Sequence, residues 1–216
     1  NRYLIAFASK IFIAYAGVEG IKDKFKHKII NTGNIIREEI LNFKNKKKYS
    51  SKELNILVLG GSQAAKSFGE FFPKIFKQCT KENIKVKLFQ QCVESQNNKL
   101  NDEYKNLNID CELFNFADNI LEYFSKVELV VTRAGSSVTA ELINCKIPFI
   151  SIPYPYSADG HQDKNADYFK KKGYSFSIKE KNINKELFPL IKLIYSDKEI
   201  LNKLIENQKN HTDTDV

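Results

Sequence analysis

Methionine and tryptophan are both missing from the 216 residues. A translated chain begins with Met, so one that opens on Asn1 reads as processed or partial, and its first residues resemble the interior of a domain. The expectation is a fragment that lacks its N-terminal part. Long hydrophobic runs are missing too, none approaching the ~20 residues of a membrane span. The opening NRYLIAFASKIFIAYAG alternates and carries Arg2 and Lys10, without the basic-then-apolar pattern and small-residue cleavage site of an export signal. Cysteine is sparse: Cys79, Cys92, Cys111 and Cys145 stand far apart. That spacing fits neither the close pairs of a metal site nor a small disulfide scaffold. They read as reduced, mostly buried thiols of a cytosolic protein, and no metal is expected.

What the chain has in excess is lysine, giving a net charge of +8. The one cluster, Lys44, Lys46, Lys47 and Lys48, has no interleaved aromatics, so nucleic acid is not read as a partner. It reads as the solvated charge of a linker, with attraction to anionic lipid as the other reading. The polar stretch 44–53 therefore divides residues 1–43 from residues 54–216. Before it lie a helix-like start, a strand around Ile11 to Tyr15 and another around Lys28 to Asn31. After it, apolar β-branched runs alternate with helical patterns. Strands are expected at LNILVLGG, IKVKLFQQ, CELFNF, VELVVT, IPFISIPYP and YSFSI. The helices expected between them are Ala64 to Lys81, Ser95 to Asn106, Asn119 to Lys126, Val138 to Asn144 and His161 to Lys172. One helix is expected from Lys185 to the end. Strict alternation of this kind means an α/β, Rossmann-like, doubly wound parallel sheet with ligands at the strand carboxyl ends.

Three junctions carry chemistry. In RAGSSVTAE (Arg133 to Glu141) a strand turns through Gly135 into a helix, so free N–H groups and the helix dipole suit a phosphate. Glu141, about a turn further on, would reach a sugar hydroxyl. The plain alternative is a helix start with Ser136 and Ser137 as caps and Glu141 solvated. In ILVLGGSQAAKS (Ile56 to Ser67), Gly60, Lys66 and Ser67 sit in register with a triphosphate-binding loop, but Ala65 replaces its last glycine. A diphosphate- or sugar-binding turn using Ser62 and Gln63 fits better, and a structural glycine turn stays open. In PYPYSADGHQDKNA (Pro153 to Ala166), His161, Gln162 and Asn165 share the first turns of a helix, where amides suit sugar hydroxyls. A lone His161 is as readily structural, and no acid or nucleophile beside it makes a triad.

TGNIIRE (Thr32 to Glu38), LGGSQAAKS, FADNI (Phe116 to Ile120), RAGSSVTAE and DGHQDKNA, in this order, resemble one family. They are similar to the C-terminal part of the MurG-type transferases, which move N-acetylglucosamine (GlcNAc) from UDP-GlcNAc to lipid I to form lipid II in peptidoglycan synthesis. The resemblance spans essentially the whole chain. It implies a GT-B glycosyltransferase, two Rossmann-like domains facing across a cleft. Residues 1–43 would then be the tail of the acceptor-binding domain and residues 54–216 the UDP-GlcNAc-binding domain. By position, Arg37 matches an arginine near the donor, and Ser62 and Gln63 match turn residues at the diphosphate and sugar. Phe116, Ala117 and Ile120 match the uracil pocket, Ser136, Ser137 and Val138 the diphosphate loop, and Glu141 the ribose-binding carboxylate. His161 and Gln162 match two sugar-reading positions that are both glutamine in some members, so His161 departs from the pattern. Ala65 departs from the usual GGSQGA turn.

The resemblance implies no cofactor, a general base in the missing N-terminal domain, and hence a fragment inactive alone. The expected partners are UDP-GlcNAc, lipid I through the missing domain, and an anionic membrane surface. The place of action would be the cytoplasmic face of the inner membrane, bound peripherally. Three rival readings are the donor-binding subunit of a split UDP-GlcNAc transferase, a UDP-GlcNAc epimerase, and a triphosphatase of the phosphate-loop type.

Overall fold

The computed structural model describes residues 3–14, 20–45 and 52–211, with residues 62–65 described by backbone alone. Two short strands, β1 (Ile11–Ile13) and β2 (Ile29–Asn31), pair in parallel with Ile11 opposite Ile29. A single helical turn follows, α1 (Glu38–Leu41). From Leu54 onward strands and helices alternate. The first units are β3 (Leu54–Leu59), α2 (Gly61–Lys81), β4 (Val86–Gln91), α3 (Asn97–Asn106) and β5 (Asp110–Phe114). Then come α4 (Ile120–Lys126), β6 (Leu129–Thr132), α5 (Ser136–Asn144), β7 (Phe149–Ser151), α6 (His161–Lys171) and β8 (Phe176–Ser177). Two helices close the chain, α7 (Ile183–Ser196) and α8 (Glu199–Lys209).

The six strands from β3 to β8 make one sheet in the order β5-β4-β3-β6-β7-β8, with every described pair parallel. This is the doubly wound order that reverses at its first strand. The run LNILVL forms the centre because both its faces are covered, as a near-continuous apolar strand requires. Leu54, Ile56 and Val58 face one core layer with Phe68, Phe72, Ile75 and Phe76 of α2 and with residues of α3, α7 and α8. Leu57 and Leu59 face the other, with Phe124 of α4, Leu142 and Ile143 of α5 and Phe169 of α6. Phe68, Phe72 and Phe76 recur every four residues, so they stack along one stripe of α2 at centroid separations of 4.8 and 5.8 Å. Full burial of each such ring is worth roughly 1.5–3 kcal/mol.

Residues before Leu54 also reach this core. Ile40 of α1 is fully buried in the second layer, and Asn45 Nδ2 donates to the Lys146 carbonyl at 2.8 Å. Lys46, Lys47, Lys48 and the C-terminal part of the expected first strand, Tyr15, lie outside the described residues.

Several starts differ from expectation, α3 at Asn97 and not Ser95, α5 at Ser136 and not Val138, α7 at Ile183 and not Lys185. Two further differences have a visible backbone cause. The helix α2 begins at Gly61, three residues before Ala64, because Gly61 takes φ +66° and lets the chain turn directly from strand to helix. The expected C-terminal helix is two helices. Asp197 adopts an extended backbone (φ −134°, ψ 96°) and its Oδ1 accepts from Glu199 N at 3.0 Å, which starts α8 afresh.

Cys79, Cys92 and Cys145 are buried, and all four cysteines are free. Burial pushes the Cys79 and Cys145 thiols up to about 12. At pH 8 both should resist a thiol-directed reagent in the folded chain and react on unfolding, when the thiolate becomes accessible. The linkage has a definite sign. The folded thiols hold their protons while unfolded ones ionise near 9, so this contribution is present below pH 9 and is lost as pH rises toward 12. Rapid labelling of the folded chain would contradict it.

Candidate functional site

The carboxyl ends of the central strands open onto a cleft of about 570 Å³. It straddles β3 and β6, where the strand order reverses, the position at which open parallel sheets bind ligands. Gly60 and Gly61 line it from the β3 side, and Arg133 and Gly135 from the β6 side. Helices α2 and α5 therefore bring their N-termini to the same cleft. The first N–H groups of a helix have no acceptor within it, so two dipoles and two sets of donors face one cleft. The N-cap residues of both helices are glycines, Gly60 and Gly135, which offer no side-chain cap. Gly135, and not Ser136 or Ser137, holds the cap position of α5, and Thr139 Oγ1 turns back to the Gly135 carbonyl at 2.7 Å.

Glu141 follows from the helical period. Its carboxylate lines the cleft and meets Arg37 Nη2 at 3.1 Å, while Arg37 Nη1 holds Glu39 at 2.6 Å. The opposite wall is apolar. Phe114, Phe116, Ala117 and Ile120 come from the end of β5 and the start of α4. Asn119 fixes that start, its Oδ1 accepting from Leu121 N at 3.2 Å. Phe116 is 77% exposed, an aromatic face free to cover a planar ring.

Arg133 forms the floor, and its side chain is only 6% exposed. The guanidinium pairs with Glu180, donates to the Ile152 and Pro153 carbonyls at 3.3 and 3.4 Å, and donates to Ser67 Oγ at 2.8 Å. It also stacks 4.3 Å from the Phe68 ring centroid. Burial lowers its pKa and Glu180 opposes that shift. Ser67 is thereby turned to an arginine, away from the metal–phosphate role that a triphosphate-binding loop would give it. Among the described residues, no group of three or more His, Cys, Asp or Glu side chains is placed to hold a metal.

The family model described as glycosyltransferase family 28 C-terminal domain matches residues 55–216. The chain belongs to glycosyltransferase family 28 and carries its C-terminal domain. A relative from Pelagibacter ubique is 34% identical over 207 residues, covering 94% of this chain and 57% of its own length. One from Rickettsia bellii is 32% identical, covering 86% of this chain and 54% of its own length. Both are named UDP-N-acetylglucosamine–N-acetylmuramyl-(pentapeptide) pyrophosphoryl-undecaprenol N-acetylglucosamine transferase. The chain thus spans little more than half the length of these relatives. In fold it is similar to Acinetobacter baumannii MurG, with a TM-score of 0.77 at 20% identity over 98% of this chain and 59% of that one. It is also similar to Staphylococcus aureus MnaA, solved with UDP, with a TM-score of 0.57 at 13% identity over 86% of this chain and 50% of that one.

The family 28 cleft gathers most of the residues singled out from the sequence. Phe116, Ala117, Ile120, Val138, Glu141 and Gln162 line it, and Arg37 joins through Glu141. Gln162 Oε1 accepts from Tyr154 N at 2.9 Å, which holds the proline loop over the cleft. His161 is exposed and outside the lining, with Nδ1 2.8 Å from the Ala158 carbonyl. Ser136 and Ser137 lie in the first turn of α5 outside the lining, and Ser136 Oγ donates to Asn34 Oδ1 at 3.4 Å. The backbone of Ser62 and Gln63 forms the first turn of α2, and their side chains lie outside the described residues.

Gln91, Arg133 and Tyr154 also line the cleft and received no role from the sequence. Arg133 carries a legible signal, a charge immediately after an apolar strand in the centre of the sheet. Gln91 carries a fainter one, a polar residue closing the apolar strand VKLFQQ.

Proposed function

We propose that this chain is the donor-binding part of a transferase that moves GlcNAc from UDP-GlcNAc to lipid I in peptidoglycan synthesis. The observation that carries the reading is one cleft holding three unlike surfaces at the strand-order reversal. These are two helix N-termini for a diphosphate, the Glu141 carboxylate for ribose hydroxyls, and the Phe116–Ile120 wall for a uracil ring. The names of the relatives and the UDP in the similar MnaA structure support the same ligand class. Residues 1–43 are read as part of the acceptor-binding domain, 44–53 as the linker and 54–216 as the donor domain.

In the reaction, the acceptor hydroxyl oxygen bonds to the anomeric carbon of GlcNAc. The bond from that carbon to the β-phosphate oxygen breaks, and its electron pair leaves with UDP. The hydroxyl proton passes to a general base, assigned to the part of the relatives' length this chain does not span. The chain's own share is to orient UDP-GlcNAc and to stabilise the charge that grows on the leaving diphosphate. The N–H groups of α5 and those of α2 beyond Gly61 stand ready for that charge without reorganising. With lipid I as acceptor, the site of action is the cytoplasmic membrane face, bound peripherally. No described helix is long and apolar enough to cross a membrane.

Glu141→Ala should weaken UDP binding by about 1–3 kcal/mol through loss of charge-assisted hydrogen bonds. Titration of the variant beside the parent chain checks it, and an unchanged affinity would remove Glu141 from the site.

A further inference from the structure

Gln91, the last residue of β4, stands between the two halves of the cleft that the donor-site reading assigns to diphosphate and base. Its Oε1 accepts from Gly61 N at 3.1 Å, and that N–H is the first donor of α2. Its Nε2 donates to the Asn115 carbonyl at 3.3 Å, just before the apolar wall at Phe116. One side-chain amide therefore clamps the glycine turn after β3 to the loop after β5.

The second anchor is itself braced. Asn115 and Asn97 exchange side-chain hydrogen bonds at 3.2 and 3.1 Å, and Asn115 Nδ2 donates to the Cys92 carbonyl at 2.9 Å. Cys92 N donates to the Phe114 carbonyl at 3.0 Å. The base-side loop thus keeps its shape without Gln91. Among the described residues, the glycine turn itself is held only by Gln91, with Gln96 Nε2 donating to the Lys66 carbonyl at 3.1 Å further along α2; a Cβ built on Gly61 would meet nothing within 4 Å. Among the described residues, Gln91 relates the turn to the loop through its two side-chain hydrogen bonds.

We propose that Gln91 is a positioning residue that sets the span between the diphosphate end and the base end of the site. This inference rests on the donor-site reading. A ligand that reaches both ends, a uridine diphosphate, depends on that span. One that occupies the base end alone does not, because Asn97 and Asn115 hold that end independently. The same geometry predicts selectivity for the whole nucleoside diphosphate over its parts, since preorganisation lowers the ordering cost only for a ligand that bridges both ends.

The test uses the full chain, with UDP followed by calorimetry and uridine by NMR titration at millimolar concentration. In Gln91→Leu, of similar size but without either hydrogen bond, UDP affinity should fall about tenfold. Uridine affinity should change less than twofold. Gln91→Asn is too short to hold both anchors and should follow Gln91→Leu. Equal losses for UDP and uridine would overturn the inference, because Gln91 would then merely support the base loop. Unchanged affinity for UDP would overturn it as well. If the parent chain itself fails to bind UDP, the donor-site reading is what falls, and the comparison with the parent separates the two failures.

Discussion

Arg133→Ala should lower the unfolding free energy by about 4 kcal/mol, the range for removing one partner of a buried charge pair. The guanidinium is nearly enclosed, and its loss would leave Glu180 without its cation. The Ile152 and Pro153 carbonyls and the Ser67 hydroxyl would lose a donor at the same time. A cavity would open beside Phe68, whose ring lies against the guanidinium. At roughly 2–4 °C per kcal/mol for a chain of this size, the melting temperature should drop by about 10 °C. Arg133→Lys keeps the charge but not the planar fork and should recover only part of the loss. Pairing Arg133→Met with Glu180→Leu removes both charges and should recover more, since the penalty lies in the orphaned partner. A loss below about 1 kcal/mol in Arg133→Ala would show that the floor of the cleft is not held this way.

Glu128→Ala should cost about 3 kcal/mol at the opposite end of the central strands. Glu128 is 4% exposed, with Oε2 accepting from Asn55 N at 3.2 Å and lying 3.6 Å from Lys198 Nζ. The pair ties the junction between α7 and α8 to the amino ends of β3 and β6. Without the carboxylate, Lys198 would sit mostly enclosed with its partner gone, and burial already lowers its pKa. The expected cost is at the low end of the range because the Lys198 side chain keeps 15% exposure and can lean toward water. Chemical denaturation at pH 7 checks it. A double-mutant cycle with Lys198→Met should show a coupling of about 1 kcal/mol or more. Additive effects would mean that the two charges do not communicate.

The fold was legible because its signals are local and repeated. LNILVLGG reads as a buried parallel strand from composition alone, and the Phe68–Phe72–Phe76 stripe reads as the inner face of a helix. What failed was set by single backbone conformations. The left-handed Gly61 moved the start of α2 forward, and the extended Asp197 divided the last helix. The candidate site was legible in part for the same reason. Glu141 follows from a strand–turn–helix junction that the sequence spells out, whereas Phe116 and Ile120 came only through the family resemblance. Gln91 and Arg133 act through partners 19 to 66 positions away, Asn115 and Ser67 among them, and no short motif encodes such pairs. The cap candidates of the plain alternative, Ser136 and Ser137, lie one and two residues past the cap position, which Gly135 takes in an extended conformation.

The central claim is that the cleft between α2 and α5 holds a uridine diphosphate sugar. Calorimetric titration of the chain with UDP-GlcNAc and with ATP, each with and without Mg²⁺, tests it most directly. The account predicts saturable heat from UDP-GlcNAc in the absence of Mg²⁺ and none from ATP. Mg²⁺-dependent binding of ATP with no heat from UDP-GlcNAc would contradict it and return GGSQAAKS to the triphosphate-loop reading.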